Sequence, residues 1–424
     1  FCSEAILPLK KIKKKNMPLS CRICNTIIQP FMSFGKMPIA NGFLNPEDFA
    51  MEYFYELKPV FCENCLTFQI AEQPDPGKMF HSNYAFFSRT SKHMVNHFRS
   101  YADWIINEYL SSPDPFVVEM GSNDGAMMEN FSKNEIRHLG VEPSENVANE
   151  ARKHGINTLC SFFSLTTAEK ITSEYGLADA LIAANVMCHI PDLHGVARGV
   201  DHLLKPKGIL VFEEPYLGDM IQNTAYDQIY DEHVYIFSAR SVKNIFNKHG
   251  FELIDVKQQS THGGSMRYVL ARKGKRPVSP NVDRQLAYED NINLHLQGTY
   301  DRFRERCELS RKDLVAILQQ QKNAGKRVVG YAATSKSTTV LNYCGIGPDL
   351  IEFISDTTPI KQGKYTPGVH IPVRPYEDLQ KCYPDGLLLF AWNHKKEVME
   401  KESNFLDQGG EWITYVPQVA LIRK

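Results

Sequence analysis

The sequence predicts an α/β protein of three segments: a small cysteine-rich module, a parallel sheet covered by helices, and a second strand–loop–helix series. Three observations predict it. Short apolar runs alternate with helical patterns between residues 81 and 275, and such alternation buries a mostly parallel sheet on both faces. Two Cys-x-x-Cys pairs fall inside the loop-rich stretch 17–80. The alternation begins again near residue 327.

Residues 1–16 read as a flexible basic extension. An apolar stretch runs there into lysines at 10, 11, 13, 14 and 15, the reverse of the order in a secretory signal. In the module at 17–80, Cys21-x-x-Cys24 and Cys62-x-x-Cys65 present four thiols. Four thiolates suit Zn²⁺, which is borderline-soft, tetrahedral and without redox chemistry of its own. The long spacer adds little, because loop-closure entropy grows slowly with length. A redox-active pair or two unrelated turns are the alternatives, and two pairs in one small segment favour the metal. Sulfur at all four positions leaves no open coordination site, so the zinc is expected to be structural. It would replace a core that about 60 residues barely supply.

In the segment 81–275, residues 116–120, 137–141, 179–185 and 209–213 read as buried strands, with helices at 144–154 and 196–204. Residues 251–257 and 265–271, joined through Gly263 and Gly264, predict an antiparallel hairpin at the sheet edge. The basic, Pro-containing stretch 272–280 looks like a linker. One long helix is expected over 283–324, where Tyr288, Ile292, Leu296, Tyr300 and Phe303 recur at helical spacing. The last segment, 276–424, then shows strands at 327–332, 350–354 and 387–392 and a helix at 335–343.

With 48 Lys and Arg against 49 Asp and Glu, the chain lacks the positive excess that general nucleic-acid binding needs. No apolar run reaches the length of a membrane span. Of ten cysteines, the six outside the two pairs are scattered through a chain of 424 residues, which predicts a reducing, cytoplasmic location. The oligomeric state stays open, a monomer included.

The strand 116–120 runs into Glu119-Met-Gly121-Ser-Asn123-Asp124-Gly125, where glycine lets backbone come close to a ligand. The next strand ends at Glu142, the position that takes ribose hydroxyls in nucleotide-binding sheets. A later strand ends at Asn185, with His189 four residues on. A nicotinamide cofactor would call for Gly-x-Gly-x-x-Gly, which is absent, so S-adenosylmethionine is the expected cofactor.

Beyond the strand ending at Glu213, the stretch 226–235 gathers Tyr230, Glu232 and His233. Methyl transfer to carbon requires a carbanion equivalent, hence a base beside a carbonyl. Histidine serves at neutral pH, a carboxylate can orient its ring and a phenol can hydrogen-bond an enolate oxygen. A polar surface loop with aromatic anchors is the alternative. His189 has a second reading too, as a helix cap ahead of Pro191.

At this point the chain resembles the sugar C-3 methyltransferases that make branched-chain deoxysugars. The resemblance runs from about Leu19 to the C-terminus. It rests on the paired Cys-x-x-Cys, Tyr84-x-x-x-Ser88-x-x-Ser91-x-x-Met94 and the Glu119–Gly125 turn. It continues through Asn185-x-x-x-His189-Ile-Pro, Glu214-Pro-Tyr216-Leu, Tyr230-Asp-Glu-His233 and His262-Gly263-Gly-Ser-x-Arg267-Tyr268. It implies a class I (Rossmann-like) methyltransferase core with a small zinc-binding domain before it and a Rossmann-like domain after it.

The implied substrate is a nucleoside-diphosphate 4-keto-deoxysugar, usually on dTDP. His233 would be the base at C-3, with methyl arriving on the opposite face, so that the centre inverts. Tyr84, His189, Tyr230 and Glu232 would surround the sugar, and Ser88 and Ser91 would join the donor site. Tyr216, His262, Gly263 and Arg267 are carried over as substrate-binding. Lys336 and Lys361 become candidate partners of the diphosphate or, alternatively, ordinary surface lysines. The competing activities are O- or N-methylation of a small metabolite, and an inactive zinc-ribbon adaptor.

Overall fold

The computed structural model of the chain describes residues 18–75, 79 and 87–424. The calls on residues 1–16 and on Tyr84 lie outside the described residues.

In the cysteine module, β1 (Lys36–Pro38) pairs antiparallel with β2 (Phe54–Glu56), and β3 (Pro59–Cys62) pairs antiparallel with β4 (Thr67–Ile70). A helix over Lys92–Tyr109 follows. Ser91 caps it by accepting from the Met94 amide, and Met94, Phe98, Tyr101, Ala102 and Ile105 form its buried stripe.

The core sheet is built from β5 (Phe116–Met120), β6 (Arg137–Val141), β7 (Thr158–Leu159), β8 (Ala178–Ala184) and β9 (Leu204–Pro215). After the short β10 (Tyr235–Ile236), β11 (Phe251–Gln259) and β12 (Ser265–Arg272) complete it. The order across the sheet is β11-β12-β9-β8-β5-β6-β7, with β12 antiparallel to both neighbours. Every residue of β5 is buried, as a strand covered on both faces requires. Because β5 to β9 run parallel, their C-terminal ends line one edge, where the strand order reverses at β5. Open α/β sheets bind ligands at that crevice.

β10 leaves this sheet and joins the cysteine module as the third strand of β10-β4-β3, pairing Tyr235 with Gln69 and Ile236 with Phe68. The remaining sheet has the order β15-β14-β13-β16-β17-β18. Its strands are β13 (Val328–Tyr331), β14 (Ile354–Asp356), β15 (Val373–Pro375), β16 (Gly386–Leu389), β17 (Glu411–Thr414) and β18 (Ala420–Ile422). Only β18 is antiparallel.

Two expected elements differ. The single helix at 283–324 is two, Pro280–Asn291 and Gln297–Asn323. Tyr288 and Leu296 of the supposed stripe are exposed, while Leu294 turns into the core, and Asn293 takes φ +54° to let it. The strand expected at 350–354 begins only at Ile354. Ile351 is fully buried, but its amide closes a turn on the Gly347 carbonyl at 3.1 Å. Among the described residues no helix is long and apolar enough to cross a membrane.

Candidate active site

The four module thiols converge, with all Sγ atoms within 4.8 Å of one another. Each pair sits on a tight turn. The amides of Asn25 and Leu66 close on the carbonyls of Cys21 and Cys62 at 2.9 and 2.7 Å, and both residues take φ +59°. Cys21 lies 3.5 Å from Cys65, and Cys24 lies 3.5 Å from Cys62. A tetrahedral Zn–S₄ centre with bonds of about 2.3 Å needs sulfurs about 3.8 Å apart, so these thiols fit zinc with a slight opening. The Gln69 amide donates to Cys21 Sγ at 3.1 Å, the support that steadies a metal-bound thiolate.

At the end of β5, Gly121 takes φ +67°, and a Cβ there would stand 2.3 Å from Val186 Cγ2. Around this turn Glu119 Oε2, Ser122 Oγ and Asp124 Oδ1 are buried without hydrogen-bond partners. Such orphaned acceptors await a ligand that brings donors. Burial raises the Glu119 carboxyl well above its ordinary range, and the charges of Asp124 and Glu142 push it the same way. A ligand carrying hydroxyls and positive charge fits these carboxyls, which is the character of S-adenosylmethionine.

The flanking predicted residues stand close by. Asn123 accepts from the Ser88 amide at 3.0 Å, and its own amide donates to Glu142 Oε2 at 3.0 Å. Glu142 Oε1 takes the Ser144 amide at 2.8 Å, and Asp124 Oδ2 takes that of Arg89 at 2.8 Å. Asn185 follows β8 directly, at φ +57°. Ser91 acts as the cap of its helix.

A Gly121→Val variant is therefore expected to lose S-adenosylmethionine binding while keeping its zinc. Calorimetric titration with the donor and metal analysis of the same sample check this. Donor binding as tight as the wild type's would show that the site lies elsewhere.

The second centre is the segment after the Tyr226–Gln228 turn. His233 is 5% exposed and Glu232 4%. The His233 Nδ1 lies 2.7 Å from the Gln228 carbonyl, which can only accept, so Nδ1 carries the proton. Nε2 is then the lone-pair nitrogen, and it accepts from the Tyr230 hydroxyl at 2.9 Å. Burial, followed by the nearby His189, holds the His233 pKa well below its ordinary value, which keeps the ring neutral at pH 7. His189 lies almost parallel to it at 5.4 Å, its own pKa lowered by burial to about 4. Cys188 approaches both rings within 4.8 Å, but the nitrogens of His233 are already engaged.

Asp231 is fully buried beside Glu232, and burial first, then that neighbour, pushes its pKa up to about 8. The folded protein thus holds a proton that the unfolded chain releases near 3.8. The associated stability is present below the unfolded value and is lost as pH rises through about 8. Asp231→Asn can still accept the Ala40 amide, now at 2.9 Å. In thermal unfolding, its deficit against the wild type is expected to shrink between pH 6 and pH 9. A deficit independent of pH would contradict the buried acid.

Other predicted residues are placed as follows. His262 sits at φ +56°, its carbonyl taking the Gln228 amide at 2.6 Å and its Nε2 buried without a partner. Gly263, at φ +86°, packs under Trp392, whose ring a Cβ would meet at 2.1 Å. Arg267 is committed to Glu213 through bonds of 3.0 and 2.7 Å and lies over the Tyr101 ring. Tyr216 is not brought to the His233 cluster. Its hydroxyl donates to Glu289 at 3.1 Å and accepts from Gln285 at 2.7 Å in the core.

Lys336 and Lys361 are half-buried rather than freely exposed. Lys336 lies beneath the Trp392 ring, and burial lowers its pKa against the pull of Asp227. Lys361 donates to the Ala333 carbonyl at 2.8 Å and faces Asp356 and Glu232.

Sequence reasoning missed three residues. Gln228 fixes the His233 tautomer, His97 meets Glu213 at 2.6 Å, and Asn41 donates to Glu232 at 2.7 Å. Gln228 is chosen through its backbone, which no side-chain pattern reveals. Asn41 looks like an ordinary turn residue before Gly42.

The strand order, with its antiparallel β12, and the glycine turn closing β5 define a class I S-adenosylmethionine-dependent methyltransferase. Residues 21–80 match the family described as "Putative zinc binding domain", 94–256 "Methyltransferase domain" and 260–417 "C-methyltransferase C-terminal domain". The C-methyltransferase NovU of Streptomyces niveus is 34% identical over 95% of this chain and 96% of its own. The ubiquinone biosynthesis O-methyltransferase of Colwellia psychrerythraea is 25% identical over 101 residues, 23% of this chain and 41% of its own. Among solved structures, the magnesium protoporphyrin IX methyltransferase of Synechocystis covers 42% of this chain and 79% of its own. Its identity is 15% and its TM-score 0.31, too slight to add to the strand order.

The chain belongs to the C-methyltransferase family that NovU represents. It is an S-adenosylmethionine-dependent C-methyltransferase with an N-terminal zinc-binding domain.

Proposed function

We propose that the chain methylates C-3 of a nucleotide-linked 4-keto-deoxysugar, carried on dTDP, in the making of a branched-chain sugar. The observation that carries this reading is the His233 tautomer. A neutral, buried imidazole with its lone pair at Nε2 and a phenol beside it is what removal of a proton next to a ketone requires.

In this reading Nε2 takes the C-3 proton, and the electron pair moves toward the C-4 oxygen. The Tyr230 hydroxyl, released from Nε2 as that nitrogen becomes protonated, donates to the developing enolate oxygen. Glu232 and His189 hold the sugar and assist the proton's passage, with Tyr84 assigned the same duty from its motif. When bound in its cradle, the donor would supply an electrophilic methyl to C-3 from the opposite face, its S–CH₃ bond breaking to leave S-adenosylhomocysteine, so that C-3 would invert. Glu119, Gly121, Asn123, Asp124, Gly125, Glu142 and Asn185 form the donor cradle, and Ser88 braces it through Asn123.

Zinc is held by Cys21, Cys24, Cys62 and Cys65. The divisions that go with this reading are 17–80 for zinc, 81–275 for methyl transfer and 276–424 for the nucleotide-sugar.

Incubation with a dTDP-4-keto-6-deoxysugar and S-adenosylmethionine, followed by mass spectrometry, is expected to show a gain of one methyl, located at C-3 by NMR. A methyl found on oxygen or nitrogen would replace this reading with O- or N-methylation.

A further inference from the structure

The catalytic segment is held from outside its own domain, and the loop 39–43 of the cysteine module makes the closest grip. The Asn41 side-chain amide donates to Glu232 Oε1 at 2.7 Å. Its Oδ1 accepts from the Ser335 hydroxyl at 3.1 Å, which fixes which end of the amide faces Glu232. One residue earlier, the Ala40 amide donates to Asp231 Oδ1 at 2.9 Å, and the Ala40 carbonyl accepts from Thr338 at 2.8 Å. The Thr339 hydroxyl donates to the Ile229 carbonyl at 2.9 Å, and the Ile70 amide donates to that of Val234 at 2.9 Å. Residues 229–236 are thus clamped between the first and third segments.

We propose that Asn41 is a positioning residue for the reaction. Its amide, set by Ser335, aims the Glu232 carboxyl at the sugar site and favours the ionised form. The proposal rests on the reading of Glu232 given above. A carboxylate receiving a side-chain N–H is stabilised against protonation. Without it, burial acts against the charge, with Lys361 alone opposing it from the third segment. Tyr55 and Cys188 also face Glu232, and both are neutral groups that burial keeps protonated.

Two variants separate this role from a packing role. Asn41→Ala removes the donor. Asn41→Asp keeps the shape and the acceptor for Ser335 but turns a carboxylate toward Glu232. If Asn41 merely fills space, Asp is the milder change. If it donates to Glu232, Asp is the worse one at pH 8.

Expected are a fall in kcat with little change in KM, in the order wild type, Ala, Asp, and unchanged zinc content and donor affinity. The Glu232 titration should also move upward by about one pH unit. It is read by infrared difference spectroscopy from the protonated-carboxyl band that Glu232→Gln removes.

The band can be followed whether or not any keto-sugar is turned over. Failure of the sugar reading would show as no methyl gain in the wild type, while the titration still decides about Asn41. An Asn41→Ala titration identical to the wild type's, or a kcat for Asp at least equal to that for Ala, overturns the proposal. Should either variant not fold with its zinc, Ser335→Ala takes its place. It frees the amide without removing it, and an unmoved titration there overturns the proposal as well.

Discussion

His233→Gln is expected to lower methyl transfer by about 10²–10⁴-fold, the range in which a positioned general base contributes. Donor affinity and zinc content should stay as in the wild type. The expectation follows from geometry before any titration. Nδ1–H is spent on the Gln228 carbonyl, so a single nitrogen faces the Tyr230 hydroxyl, and it is the one with a lone pair. A glutamine amide can replace either hydrogen bond but cannot accept a proton from carbon. The donor turn closes β5, while His233 stands two residues before β10, which pairs with β4 of the cysteine module, so the two functions can fail separately. Turnover with the purified variant, set beside a donor titration, checks this. Wild-type turnover in His233→Gln would remove the base from the account.

The second large effect is expected at the zinc site. Cys62→Ser should lose the metal and most of the turnover together. Structural zinc contributes about 10–16 kcal/mol of apparent binding energy in small modules, and Cys62 ends β3 itself. If β3 and β4 loosen, β10 loses its sheet partner, and β10 begins two residues after His233. The Ile70 amide that holds the Val234 carbonyl at 2.9 Å goes with them. The zinc thus acts at a distance, through backbone pairing, and loss of metal should lower kcat even where the methyltransferase core still binds donor. Metal analysis, thermal unfolding and turnover on one sample decide. A zinc-free variant that melts and turns over like the wild type would make the module dispensable.

The parts of this site that the sequence makes legible share one property: their chemistry lies in side-chain types at short spacing. Two Cys-x-x-Cys pairs, a Glu-x-Gly turn after an apolar strand and a Tyr-x-x-His group each announce themselves. The core sheet was readable for a related reason, since strands covered on both faces must be continuously apolar.

What stayed hidden depends on distant partners. For Lys336 and Lys361 the sequence leaves diphosphate partners and surface charges both open, and only the folded chain shows them half-buried, facing Asp227 and Glu232. Tyr216 sits in a family motif, yet its hydroxyl serves Glu289, 73 residues on. Asn41 and Glu232 are 191 residues apart, and no local pattern links them. The break after Asn291 stays hidden because Leu294 supplies a buried contact off the helical spacing, while Tyr288 and Leu296 on that spacing stand exposed.

Carbon acidity at C-3 is the central claim, and solvent deuterium incorporation into a dTDP-4-keto-6-deoxysugar without methyl donor tests it most directly. The wild type is predicted to exchange one deuterium at C-3, and His233→Gln none above the rate in buffer. Exchange that persists in the variant would assign the proton to another base. No exchange in a wild type that still transfers methyl would contradict the enolate itself.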